Sequence, residues 1–135
     1  MSWDSYVDRL MEPLASGSID SAAIVGQDGG VWAQSEKFPA VTADQISAIM
    51  KGFASIETIG HAGELGGTGI LLGQEKFQVA PGDESVIRGK SATGGCCIKK
   101  TVSALLIGIY TSPVQPGDVN KAVETLGDYL AGSGY

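Results

Sequence analysis

Apolar residues recur every three or four positions near both ends of the chain, and every second position or in short unbroken runs between them. Trp3, Tyr6, Val7, Leu10 and Met11 fall along one side of a helix that Ser2 can cap and that Pro13 and Ser16-Gly17-Ser18 end. Ala22 to Val25 reads as a short buried strand. The turn signal Asp28-Gly29-Gly30 returns the chain as Val31-Trp32-Ala33-Gln34, the second strand of a hairpin. Thr42 and Gln45 have the spacing of a capping box, and Ile46, Ile49, Met50 and Phe53 supply the stripe of the helix it starts. From Ile56 to Gly67 the pattern dissolves into an expected loop containing His61 and four glycines.

Four strands then follow, Gly69 to Leu72, Lys76 to Ala80, Ser85 to Gly89 and Cys96 to Thr101, separated by Gly73-Gln74-Glu75, Pro81-Gly82-Asp83 and Ala92-Thr93-Gly94-Gly95. Ser103 to Tyr110 forms a further strand. Pro116-Gly117 breaks the chain, Asp118 offers a cap, and Val119, Ala122, Val123, Leu126, Tyr129 and Leu130 keep helical spacing to the last turn. Helix, hairpin, helix, strand meander and terminal helix together predict one α+β domain over residues 1–135, an antiparallel sheet with the terminal helices packed on it.

The composition fits an ordinary globular protein, 43% hydrophobic and 18% charged. No basic stretch leads into an apolar one at the N-terminal end, so the expectation is a cytosolic protein without a signal peptide. A net charge of −6 opposes nucleic acid as a partner. The charge is unevenly spread. Arg88, Lys90, Lys99 and Lys100 lie between Ser85 and Gly117 with no acid among them, which puts +4 there and −10 on the rest. A basic face for one acidic partner is the expectation.

Material for catalysis is thin. His61 is the one histidine and lies in a glycine-rich stretch away from any plausible nucleophile. The clusters 63–67 and 91–95 lack the Gly-Lys-Ser/Thr ending of a phosphate loop, and no carboxylate cluster invites a metal. Cys96 and Cys97 are adjacent, so on a strand they point to opposite faces and neither bond each other nor converge on a metal; one buried and one partly exposed thiol are expected. No catalytic residue and no cofactor are assigned.

The aromatics say more. Trp3 and Tyr6 lie one helical turn apart, Trp32 follows the tight turn, and Tyr129 and Tyr135 occupy the last seven residues. Terminal helices packed side by side over the Trp32 strand would gather these rings into one exposed patch. Such a patch suits a polyproline II ligand, which is already extended and offers its carbonyls to indole and phenol donors. Tyr135, preceded by Gly132-Ser133-Gly134, which packs little, is expected to serve that surface rather than the fold.

Ser2-Trp3 with Tyr6-Val7-Asp8, Ala23-Ile24-Val25-Gly26, Asp28-Gly29 and Val31-Trp32-Ala33 resemble the N-terminal signature of the profilins. Ile87-Arg88-Gly89-Lys90, Gly94-Gly95 and Ile98-Lys99-Lys100-Thr101 resemble the family's central strands, and Pro116-Gly117, Asn120 and 126–130 its last helix. The similarity spans nearly the whole chain and is strongest to plant and amoeboid profilins. It implies a six- or seven-stranded antiparallel sheet, with the N- and C-terminal helices on one side and shorter helices on the other. It implies a proline-rich ligand site at Trp3, Tyr6, Trp32, Tyr129 and Tyr135. It implies an actin-monomer site at Lys76, Val79, Arg88, Lys90, Val114, Gly117, Asn120 and Lys121, and phosphatidylinositol bisphosphate contacts at Arg88 and Lys90. The implied activity is stoichiometric: sequestering actin monomers, controlling polymerisation in the cytoskeleton and handing monomers to proline-rich, formin-type nucleators.

Two departures stand out, a longer 56–67 segment bordering the actin face and the Cys96-Cys97 pair, which raises the question of oxidation. The rival readings are a generic α+β scaffold or small-molecule sensor with an internal pocket, and a small enzyme using Cys97 or His61.

Overall fold

The computed structural model describes residues 3–135, apart from the side chains of residues 81 and 82; the proposed cap Ser2 lies outside the described residues. In chain order the elements are α1 (Trp3–Leu10), β1 (Ser21–Gly26), β2 (Val31–Gln34), α2 (Ala43–Ile59), α3 (Glu64–Thr68), β3 (Ile70–Leu72), β4 (Glu75–Asp83), β5 (Val86–Lys90), β6 (Gly94–Lys100), β7 (Ala104–Thr111) and α4 (Pro116–Gly132). The strands form one antiparallel seven-stranded sheet in the order β2-β1-β7-β6-β5-β4-β3. Among the described residues only the β1–β7 neighbourhood joins strands far apart in sequence, with Ser21 opposite Ile109 and Gly26 opposite Ala104.

Alternation along the strands builds two cores, one on each side of the sheet. On one side Val7 and Leu10 of α1 and Val119, Val123, Leu126 and Leu130 of α4 cover Ala22, Ile24, Val86, Cys97 and Leu106. On the other side Ile46, Ile49 and Phe53 of α2 and Leu65 of α3 cover Ala23, Val25, Ile87, Cys96, Ile98 and Ile107. Each fully buried Leu, Ile or Phe contributes about 1.5–3 kcal/mol, so both layers are needed to hold the sheet. The helix placement is the expected one, with the terminal helices sharing a face.

The capping box forms as predicted. The Gln45 N–H donates to Thr42 Oγ1 at 3.2 Å, and the Thr42 N–H donates back to Gln45 Oε1 at 3.2 Å. The Gln45 side chain also pairs with the backbone of Gly73, tying the helix start to the β3–β4 turn.

Several boundaries differ from expectation. Ile56, expected in the loop, continues the α2 stripe and packs on its core, and α2 runs on until Gly60 closes it at φ 80°, the left-handed cap that glycine adopts without strain. Within the expected loop α3 forms because Leu65 inserts over Gly52, where a β-carbon would stand 2.6 Å from Leu65 Cδ2. The cap of α4 is Gln115 rather than Asp118, with Pro116 in the first turn, where its missing N–H costs nothing. Asp118 instead accepts from Ser16 Oγ at 2.6 Å, while Ser16 Oγ accepts the Gln115 N–H at 2.8 Å. Residues 81–83, expected as a turn, belong to β4, with an irregular register between Ala80 and Asp83. Gly94-Gly95, also expected in a turn, opens β6 instead.

Candidate functional site

The five aromatic residues come together. On α1 the rings of Trp3 and Tyr6 have centroids 5.6 Å apart. Trp3 lies 4.7 Å from Trp32 of β2 and meets Tyr135 edge-on at 5.0 Å, with the planes at 89°. Tyr6 lies 6.3 Å from Tyr129 of α4. All four separations fall within the range at which aromatic pairs attract, so the rings form a self-supporting platform centred on Trp3. Trp3, Tyr6 and Trp32 are half-buried against the helix-side core, whereas Tyr129 and Tyr135 remain 55% and 48% exposed. The Tyr6 phenol is held above its ordinary value, first by desolvation and then by the neighbouring Tyr129. Like any tyrosine at or above its ordinary value, it is a hydrogen-bond donor at neutral pH.

Tyr135 is fastened more firmly than the glycines before it suggested. Its N–H donates to the Leu130 carbonyl at 2.9 Å. Its backbone oxygen accepts from the Ser103 N–H at 2.7 Å, Thr101 Oγ1 at 2.8 Å and Ser103 Oγ at 2.9 Å. Gln27 braces this β6–β7 turn in its turn: its N–H donates to the Ser103 carbonyl and its side-chain amide to the Thr101 carbonyl. Sequence reasoning missed this clamp. Its visible signal was a turn carrying two hydroxyls, Thr101 and Ser103.

The basic segment does not form one face. Arg88 and Lys90 pair with Cys97 and Gly95 across β5–β6 and so share the α4 side of the sheet. Lys100 points to the other side, its ammonium 5.9 Å from the Phe53 ring centre. Arg88 is paired with Glu124 of α4 at 3.0 Å. Lys99 is only 7% exposed, its ammonium bonded to Asp128 at 3.0 Å and to Ser85 Oγ at 2.8 Å. A buried ammonium needs such partners, because an unpaired one would cost several kcal/mol. Lys90 is exposed and, with Lys76 from outside that segment, lines one cleft with Gln78, Ser91 and Ala92.

The other residues assigned to an actin site divide. Lys76, Arg88 and Lys90 lie on the open half of the sheet beside α4, and Asn120 stands one helical turn before Glu124, with Gly117 a turn earlier. Val79 faces the α2 core on the opposite side. Lys121 lines the groove between α4 and α1. Val114 is a core residue, 8% exposed and packed beneath Gly17, so it supports the start of α4 rather than projecting from it.

Both cysteines are buried, contrary to the expectation of one partly exposed thiol. Strand alternation sends Cys96 into the α2 core and Cys97 into the α4 core, and both cores are closed. Burial pushes the Cys96 thiol far up; burial and then Glu124 push Cys97 up to about 12. Neither supplies a thiolate at neutral pH, which removes the basis for a nucleophile or redox role at Cys97. His61 is exposed, and its Nδ1 accepts the Gly63 N–H at 3.2 Å.

An antiparallel sheet whose two terminal helices lie side by side and present a shared ring platform defines a small α+β domain with an aromatic surface. The family model for profilin matches residues 1–135. Acanthamoeba castellanii profilin II is 33% identical, with 99% of this chain and 100% of that one covered and a TM-score of 0.84. Schizosaccharomyces pombe profilin is 33% identical over the same shares, with a TM-score of 0.81. Mouse profilin IIa, solved in complex with a double repeat from the FH1 domain of mDia1, is 27% identical with both chains fully covered and a TM-score of 0.74. The chain belongs to the profilin family of actin-regulating proteins. No described helix is long and apolar enough to cross a membrane.

Proposed function

We propose that this protein holds an actin monomer and a proline-rich, formin-type ligand at the same time, and so delivers the monomer to a growing filament end. The observation that carries the reading is the convergence of Trp3, Tyr6, Trp32, Tyr129 and Tyr135 from both ends of the chain and from β2 into one exposed platform. A polyproline II segment would lay its rings on these faces and accept hydrogen bonds from their indole and phenol donors, arriving with little entropy left to lose. The complex of mouse profilin IIa with an FH1 double repeat supports that partner class.

Actin would dock on the open half of the sheet beside α4, contacting Lys76, Arg88, Lys90, Gly117 and Asn120. Lys121 would act at its edge, Val114 from beneath and Val79 from the opposite face of β4. Phosphatidylinositol bisphosphate would compete there through Lys90 and Arg88, releasing actin near membranes. Tethering raises the local monomer concentration without any new contact, which makes binding alone a sufficient mechanism. The test is retention on poly-L-proline together with sedimentation of actin in the protein's presence. Failure to bind either ligand would overturn the reading.

A further inference from the structure

Between α1 and α4 a groove of about 510 Å³ runs from Tyr129 to Pro13. Leu10 and Leu126, both buried, form its floor with the partly buried Leu14, and Arg9, Lys121, Thr125 and Glu12 stand on its rim. Tyr129 is the wall it shares with the ring platform, so the groove continues that surface without a break. Its rim carries two cations and one acid on a chain whose net charge is −6.

We infer that the proline-rich ligand is read beyond its prolines: the segment adjoining the tract lies in this groove, with an aliphatic side chain over Leu10 and Leu126 and an acidic residue against Arg9 and Lys121. This rests on the proposed proline site. From Tyr129 to Lys121 is eight helical residues, about 12 Å at 1.5 Å each. An extended chain rising about 3.1 Å per residue covers that distance in about four residues. A four-residue flank therefore reaches from the last ring to the two cations. Opposite charge at the rim both strengthens the contact and selects acidic flanks over basic ones.

The experiment compares a ten-proline peptide with the same peptide extended by Leu-Ala-Glu-Glu or by Leu-Ala-Lys-Lys, at either end, titrated by tryptophan fluorescence. The acidic extension at one end should tighten binding at least fivefold, and the basic one should not. Arg9→Glu and Thr125→Glu, both exposed positions outside the ring platform, should each erase that gain while leaving the plain ten-proline affinity within twofold. Equal affinities for plain and acidic peptides in both orientations would overturn the inference and leave the proline site standing. An equal gain from the basic extension would overturn the charge selection. A plain peptide that does not bind would overturn the proline-site reading, and this inference with it. Dimers in sedimentation that dissociate in Thr125→Glu would assign the groove to a second copy of the chain and overturn the inference as well.

Discussion

Replacing Thr101 with valine keeps the shape of the side chain and removes one oxygen, which tests whether the β6–β7 turn positions the edge of the ring platform. The hydroxyl donates to the Tyr135 oxygen at 2.8 Å and accepts the Ala104 N–H at 3.1 Å, and Thr101 is buried. Losing the first bond costs about 1 kcal/mol, and a buried N–H without its acceptor costs about 1–3 kcal/mol more. A total of about 2–4 kcal/mol lowers the melting temperature by about 8–16 °C, at roughly 4 °C per kcal/mol for a domain of this size. Two Ser103 donors still hold Tyr135, so its ring loosens without leaving Trp3 altogether. Affinity for a proline peptide should fall about threefold. Tyr135→Ala, which keeps every backbone bond but removes the ring, should weaken the peptide about fivefold to thirtyfold, equivalent to about 1–2 kcal/mol. Calorimetric melts and fluorescence titrations on both variants give the comparison. A Thr101→Val protein that melts as the parent does would refute the hydrogen-bond reasoning. One that melts early yet binds the peptide with unchanged affinity would refute the claim that the turn positions the ring.

The proline and actin sites should fail separately: Trp3→Ala should weaken proline peptides about thirtyfold, roughly 2 kcal/mol, with actin sequestration intact, and Lys90→Glu should do the reverse. Joint loss in either folded variant, seen by sedimentation and titration, would defeat the delivery mechanism. Binding to phosphatidylinositol bisphosphate vesicles should weaken sharply with salt and on Lys90→Glu, while Lys100→Glu, on the opposite side of the sheet, should change it little; equal losses from the two variants would count against the basic-cleft assignment. Because the folded state raises both thiol values, it binds protons the unfolded chain has released, so stability is full below the unfolded value near 9 and lost as pH rises. By pH 10 the loss is on the order of 1 kcal/mol per cysteine, read as a shift in urea midpoint that Cys96→Ala/Cys97→Ala should remove; an unchanged alkaline slope in that variant would show that the thiols are not its source.

What could be read from sequence was what local period and turn chemistry determine. The stripes of α1, α2 and α4, the capping box at Thr42 and the hairpin around Gly29 are all short-range patterns, and each is present. Five aromatic residues were grouped correctly because helices at the two ends of a chain over one sheet bring such positions together. The errors lie where the third dimension decides. Four neighbouring cations looked like a face, but strand alternation sends Lys100 to one side and Arg88 and Lys99 to the other, where acids of α4 already meet them. The short helix α3 depends on Leu65 finding Gly52 on a different helix, and no window of local sequence holds both. Val114 shows the same limit, since an apolar residue between two prolines gives no sign that Gly17 lies over it.

Successive positions of α4 address different neighbours. Glu124 and Asp128 reach Arg88 and Lys99, whereas Thr125 and Tyr129 line the groove and the ring platform. Neighbouring residues of α4 thus fall on opposite flanks of one rod, one tied to the sheet by ion pairs and the other lining the groove and the rings. Under the proposed function, substitutions at Thr125 and Tyr129 would retune the proline-rich ligand while the ion pairs of Glu124 and Asp128 with the sheet stay in place. The constraint falls instead on Gly127, the residue between the flanks: a β-carbon there would strike the Lys99 stem, so that position has no freedom to drift.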